Sequence, residues 1–314
     1  MISKLPVQHT RLLTDPVRPW VYAHNGGSSI DVYNVYTATK IATFSHIAVA
    51  MGAMAIAPDG SALYVIDTSA KQMWVIDPVS GTKVRAFSLV YAANAGVAAT
   101  YLRTNGVGVV MLGDGTAYLA SDGSALASGS TLFGGSAALT AGPGGNQVFL
   151  SGPQGSSPAY PGIAAVDYTA INGGSFLYNT RSILGASNTP VASNAMDVAV
   201  SQDGARFYSA AGAPYACLAW DAKTGGYAGS LPGGDAYPNN VEVGSDGRIY
   251  CGISGWYSKA DVWMYSTSGT LLHTFKFAGY AHALVDRSFV VSGDGLVGIA
   301  LTDDPLMAFL PLGP

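Results

Sequence analysis

The chain has 314 residues, 49% apolar and only 11% charged, with 40 glycines and a formal net charge of −4. Its 15 basic residues are scattered singly, which excludes the basic stripe of a nucleic-acid binder. No stretch is apolar enough for a membrane-spanning helix, and the segment Met1–Leu13 lacks the apolar core of a signal peptide. Of the 19 acidic residues only Glu242 is a glutamate. Aspartate suits tight turns and glutamate suits helices, so a turn-rich β chain is expected.

Taken in chain order, the chain repeats itself. The clearest unit, Ala55–Phe87, reads strand, Asp59-Gly60 turn, strand, loop, strand, Ser80-Gly81 turn, strand. Weaker copies run Val198–Leu231 and Val241–Phe275. A period of roughly 40–45 residues with four short strands is the mark of propeller blades. Leu63–Ile66 and Met73–Ile76 are apolar at every position, a pattern that buries both faces of a sheet. The expected fold is all-β: one seven-bladed propeller of four-stranded antiparallel blades over 1–314, with blades near 8–46, 53–90, 96–132, 136–183, 195–232, 238–278 and 282–312. Ring closure has two solutions. Either blade 7 keeps its own C-terminal strand near Met307–Leu310, or an N-terminal strand Val7–Leu13 completes it. Cys217 and Cys251 fall in strands of adjacent blades and are expected as buried free thiols, because their spacing does not suggest a disulfide.

Several segments carry a family resemblance. Asp15–Gly27 resembles the opening of a YVTN-type blade. So does Pro58-Asp59-Gly60 with Leu63-Tyr64-Val65, followed by Val75-Ile76-Asp77 and Ser80-Gly81-Thr82-Lys83-Val84. Tyr237-Pro238-Asn239-Asn240-Val241 with Ser245–Tyr250 is similar to an NHL-type blade. The resemblance covers most of the chain and implies the fold. It implies no single activity, because this architecture hosts binders, scaffolds and enzymes.

Loops joining second to third strands, and blade to blade, share one face of a propeller. Here they carry Tyr160, Tyr215, Tyr237, Trp256, Tyr257, Tyr280 and Asn239, with few charges. Aromatic faces beside amides and hydroxyls suit a neutral polar ligand such as a glycan. These seven residues are the candidate ligand-binding set. No nucleophile elbow, H-E-x-x-H, C-x-x-C or phosphate loop occurs, so no catalytic residue and no cofactor is assigned. Asp197 and Glu242 lie on inner strands of neighbouring blades and read as channel-lining acids.

The expected function is a non-catalytic binding or structural propeller, surface-exposed or part of a virion. It would act through loop-face contacts with protein partners, by self-assembly, or with a neutral glycan. Two alternatives stand beside it. Ser193-Asn194-Ala195 resembles the asparagine position of gluconolactonase-type propellers, which implies a divalent-metal-dependent lactonase or lyase with Asn194, Asn239 and Glu242 at the metal. Streptogramin-lyase-type propellers use a histidine, for which His273 and His282 are the counterparts. The other alternative is a cytoplasmic protein-interaction scaffold.

Overall fold

Aspartate turns punctuate the strands as the sequence requires. Asp59 accepts from the Ser61 N–H at 3.0 Å, Asp203 from Ala205 at 2.9 Å and Asp246 from Arg248 at 3.0 Å. Each acid caps its own turn. A computed structural model describes residues 1–90, 98–128, 138–151, 161–168, 175–182 and 193–313. The candidate Tyr160 lies outside the described residues.

The strands form seven antiparallel blades in a ring, running Arg11–Phe44, Met51–Ser88, Ala99–Ser128, Leu139–Ser182, Ser193–Ser230, Pro238–Phe275 and Leu284–Pro311. Each blade runs from an inner strand to an outer one. The outer strands of blades 3 and 4, Ala125–Ser128 and Ser175–Ser182, also pair with each other in parallel and fuse those blades into one eight-stranded sheet.

The ring closes through the N-terminus, but not through the expected segment. Ser3–Leu5 adds to blade 7 as its outermost strand, with Ser3 opposite Phe309 and Leu5 opposite Met307. Arg11–Thr14 is instead the inner strand of blade 1, paired with Trp20–His24. One chain end thus seals blade 7 and then opens blade 1, which removes an exposed sheet edge.

Among the described residues the apolar interior falls into seven clusters, each drawn from two adjacent blades. Tyr22, Ile30 and Phe44 of blade 1 meet Met54, Leu63 and Ile76 of blade 2. Val21 and Tyr33 of blade 1 meet Ile299 and Phe309 of blade 7. This face-to-face packing explains strands that are apolar on both sides and a chain so poor in charge.

A small device recurs between blades. A phenylalanine at or next to the end of an outer strand sits beneath a left-handed glycine in the next blade's last turn. A Cβ on Gly81 (φ +71°) would stand 2.3 Å from Phe44, and one on Gly123 (φ +80°) 2.3 Å from Phe87. Only glycine fits both the conformation and the approach.

The two cysteines form a disulfide rather than free thiols. Cys217 in the third strand of blade 5 joins Cys251 in the second strand of blade 6, with Cα atoms 6.3 Å apart. The separation of 34 residues is shorter than one blade repeat, because a third strand meets the second strand of the next blade. Packing one sheet on the next, rather than any local motif, brings the thiols together.

Candidate functional site

Second-to-third-strand loops and blade connections emerge on one face of the ring. Over blades 5 to 7 that face carries a band of exposed aromatic side chains: Tyr215, Tyr237, Trp256, Tyr257 and Tyr280. Trp256 is 64% and Tyr280 86% exposed. Tyr215 and Tyr237 meet edge to face at 5.1 Å, and Tyr257 and Tyr280 at 4.8 Å. The two pairs are joined through the backbone, where the Ser254 N–H donates to the Tyr237 carbonyl at 2.9 Å.

The backbone beneath the band is unusual. Tyr215, Tyr237 and Tyr257 have φ of 62°, 64° and 63°. This left-handed region is uncommon for bulky residues and costs energy that glycine would avoid. Lys71 and Ala281 share the conformation, so it belongs to the loops, and the aromatic side chains are what these three positions add.

Buried groups fix the loops in place. Asp261, 1% exposed, accepts from the Phe277 and Ala278 N–H groups at 2.6 and 2.9 Å and pairs with Lys276 at 2.7 Å. It thereby ties the Trp256 and Tyr257 loop to the connection that carries Tyr280. Segments 213–216, 233–238, 254–259 and 278–281 hold one acid, Asp235, and one base, Lys259. The band is therefore aromatic, wet and close to neutral.

Asn239 is not part of the band. It is 2% exposed, its amide nitrogen donates to the Leu284 carbonyl and to Asp286, and its oxygen accepts from Asn240. Asn240 in turn accepts from the Ser288 and Phe289 N–H groups at 2.6 and 2.9 Å. Together the two asparagines stitch blade 6 to an irregular inner strand in blade 7, where Arg287 is left-handed with φ 52°.

Of the residues expected for a metal-dependent enzyme, Asn194 is half-buried on left-handed backbone with φ 56°. Asn239 and Glu242 lie three residues apart on one strand, about 10 Å, so no single ion bridges all three. Glu242 instead lines a cleft of about 210 Å³ with Thr140, Ser201 and Gln202, towards the opposite face.

Its neighbour Asp197 accepts from the Val241 and Val198 N–H groups, each at 3.0 Å. Burial pushes the Asp197 carboxyl up to about 7, against the pull of those N–H groups and of Arg287. Burial, reinforced by Asp197, pushes Glu242 up to about 8. Burial thus raises both carboxyls out of the ordinary acid range, and each favours its protonated form more than a solvated acid does.

Sequence reasoning named His282 but not the Asp303 and Asp304 carboxylates grouped with it on the loop face, nor the tie that Asp261 makes. The ladder places Thr302 where Asp67 ends the second strand of blade 2, so Asp303 and Asp304 fall in the turn that follows it, one position further on.

No protein-family model matches the chain, and no curated protein matches its sequence. Solved structures do match in shape. The β-propeller domain of Myceliophteria thermophila Cps50 (Swd1) superposes with a TM-score of 0.67 at 8% identity, over 100% of both chains. Kuenenia stuttgartiensis hydrazine synthase superposes with a TM-score of 0.69 at 15% identity, over 97% of this chain and 96% of that one. Identity this low carries the fold alone: the chain is an all-β, seven-bladed propeller.

Proposed function

We propose that this protein is a non-catalytic binding propeller that takes a neutral glycan on the loop face of blades 5 to 7. The observation that carries the reading is the band of five exposed aromatics, three of them on left-handed backbone. Pyranose rings present apolar C–H faces that stack on aromatic rings, and their hydroxyls need hydrogen bonds rather than charge. A band with one acid and one base in its loops suits that chemistry.

The setting belongs to the same proposal: a virion or cell surface, where the propeller also contacts protein partners. The Cys217–Cys251 bridge supports it, since disulfides persist mainly in oxidising surroundings. The repeat units fit the YVTN and NHL types by the residues quoted above, and that assignment is likewise proposed.

The reading is tested with Trp256→Ala, titrated calorimetrically with neutral oligosaccharides beside the parent protein. Trp256 is largely solvent-exposed, so the fold should be unaffected while affinity falls at least about tenfold, the effect of losing an aromatic anchor. Equal affinity in the variant would remove the proposal.

A further inference from the structure

A separate feature lies at the blade-7 end of the same face. His282 sits in the connection entering blade 7, and Asp303 and Asp304 in the turn between its second and third strands. One ligand-type atom from each lies within 4.8 Å of the others, and His282 Nδ1 is 3.0 Å from Asp303 Oδ1.

Blade 2 shows how much of this the fold itself requires. There Asp67 accepts from the Val49 N–H of the incoming connection at 2.9 Å, and Thr68 beside it donates to the Ala50 carbonyl at 3.0 Å. In blade 7 Asp303 does the work of Asp67, accepting from the Ala283 N–H of the incoming connection at 3.0 Å. By ladder register Asp303 stands at the place of Thr68, since both backbone N–H groups donate to the carbonyl that precedes the inner strand, and the residue that follows it in the turn is Asp304. Asp304 Oδ1 is fully enclosed and meets no hydrogen-bond partner among the described residues. An enclosed carboxylate oxygen without a partner is costly unless a positive charge meets it.

Gly279 lies close against two of these side chains. A Cβ on Gly279 would stand 2.9 Å from Asp304 Oδ2 and 3.0 Å from His282 Cδ2. The His282 N–H donates to the Gly279 carbonyl at 3.1 Å and holds the imidazole over the turn.

We propose that His282, Asp303 and Asp304 bind a first-row divalent cation, with Zn²⁺ the ion this donor set favours. One imidazole and two carboxylates match zinc's preferred ligands, and three protein ligands leave one position open. With metal–ligand bonds near 2.0–2.1 Å, tetrahedral ligand atoms stand about 3.3 Å apart. Small side-chain rotations therefore close the set. The inference does not rest on the glycan reading, and zinc binding is measured without any sugar.

The test uses untagged full-length protein stripped with a chelator, then titrated with zinc chloride by calorimetry and native mass spectrometry. One Zn²⁺ per chain is expected, weakened more than about tenfold in Asp304→Asn and in His282→Ala. His273→Ala removes an exposed imidazole outside the cluster and should bind as the parent does. Asp304→Asn is close to isosteric and should melt no lower than the parent without metal, so lost binding is not lost folding. Absence of stoichiometric zinc, undiminished binding by both variants, or saturation by calcium in preference to zinc would overturn the assignment.

Discussion

Blades 2 and 6 are built from the same repeat, yet they offer different ends to solvent. In blade 2 the loop after the second strand closes on itself. Asp67 accepts from the Ser69 and Ala70 N–H groups at 3.1 and 3.0 Å, and the left-handed residue is Lys71, φ 54°. In blade 6 the corresponding loop is longer, its left-handed residue is Tyr257, φ 63°, and Trp256 stands exposed beside it. The backbone needs a left-handed residue in both places and accepts lysine in one. In blade 6 the side chain at that place is 61% exposed and meets the Tyr280 ring edge to face. The difference separates what the fold requires from what the loop face adds.

The largest effect expected on stability tests the side of the molecule that carries the band. Replacing both Cys217 and Cys251 by alanine opens a 34-residue separation. The chain-entropy estimate for a loop of that size is about 3–4 kcal/mol. The melting temperature should fall by roughly 5–10 °C, and amide exchange should rise in blades 5 and 6 while blade 2 is unchanged. An equal rise around the ring would show that the bridge does not act locally.

Next in size is a pair of substitutions of opposite sign at left-handed positions. Gly81→Ala puts a methyl group into Phe44 on strained backbone and should destabilise by about 1–3 kcal/mol. Tyr257→Gly removes a side chain from the same kind of backbone and should be neutral or stabilising by about 0.5–1 kcal/mol. It should nonetheless weaken ligand binding, the usual signature of a functional residue held at a cost in stability. Chemical denaturation of both variants measures the contrast. A Tyr257→Gly protein much less stable than its parent would mean that the ring is needed for packing.

The smallest effect is a slope with pH. Asp197 and Glu242 have folded-state values raised to about 7 and about 8. The folded state therefore holds protons that the unfolded chain has released, and stability must fall as pH rises through this range. His24, pushed down to about 4 by burial and Arg11, acts in the other sense only on the acid side. The carboxyl slope is thus clearest between pH 6.5 and 8.5. Glu242→Gln should flatten it and raise the melting temperature at pH 8.5 by roughly 2–4 °C. A parent melting temperature that climbs across that window would contradict the raised carboxyl pair.

The fold was legible because its determinants are local and repeated: Asp turns, strands apolar on both faces, and a period near one blade. The closing strand was not. Ser3–Leu5 is three residues, Ser3 and Lys4 exposed, and its partner lies at the other end of the chain. The disulfide was hidden for the same reason, since only face-to-face blades bring Cys217 to Cys251. The aromatic loop residues could be placed on one face from the repeat alignment, which orders loops reliably. Asn239 could not be told from them, because its amide is taken up by blade 7, a contact made 45 residues away in sequence. Asp304 reads as an ordinary turn acid in the sequence, because only the folded turn encloses its Oδ1 beside His282.

The central claim is that the loop face of blades 5 to 7 binds neutral glycans. An array of neutral and charged oligosaccharides, probed with the parent protein and with Trp256→Ala, tests it most directly. The account predicts retention on neutral glycans by the parent and its loss in the variant, with both proteins melting at the same temperature. No retention by the parent, or equal retention by the variant, would contradict it.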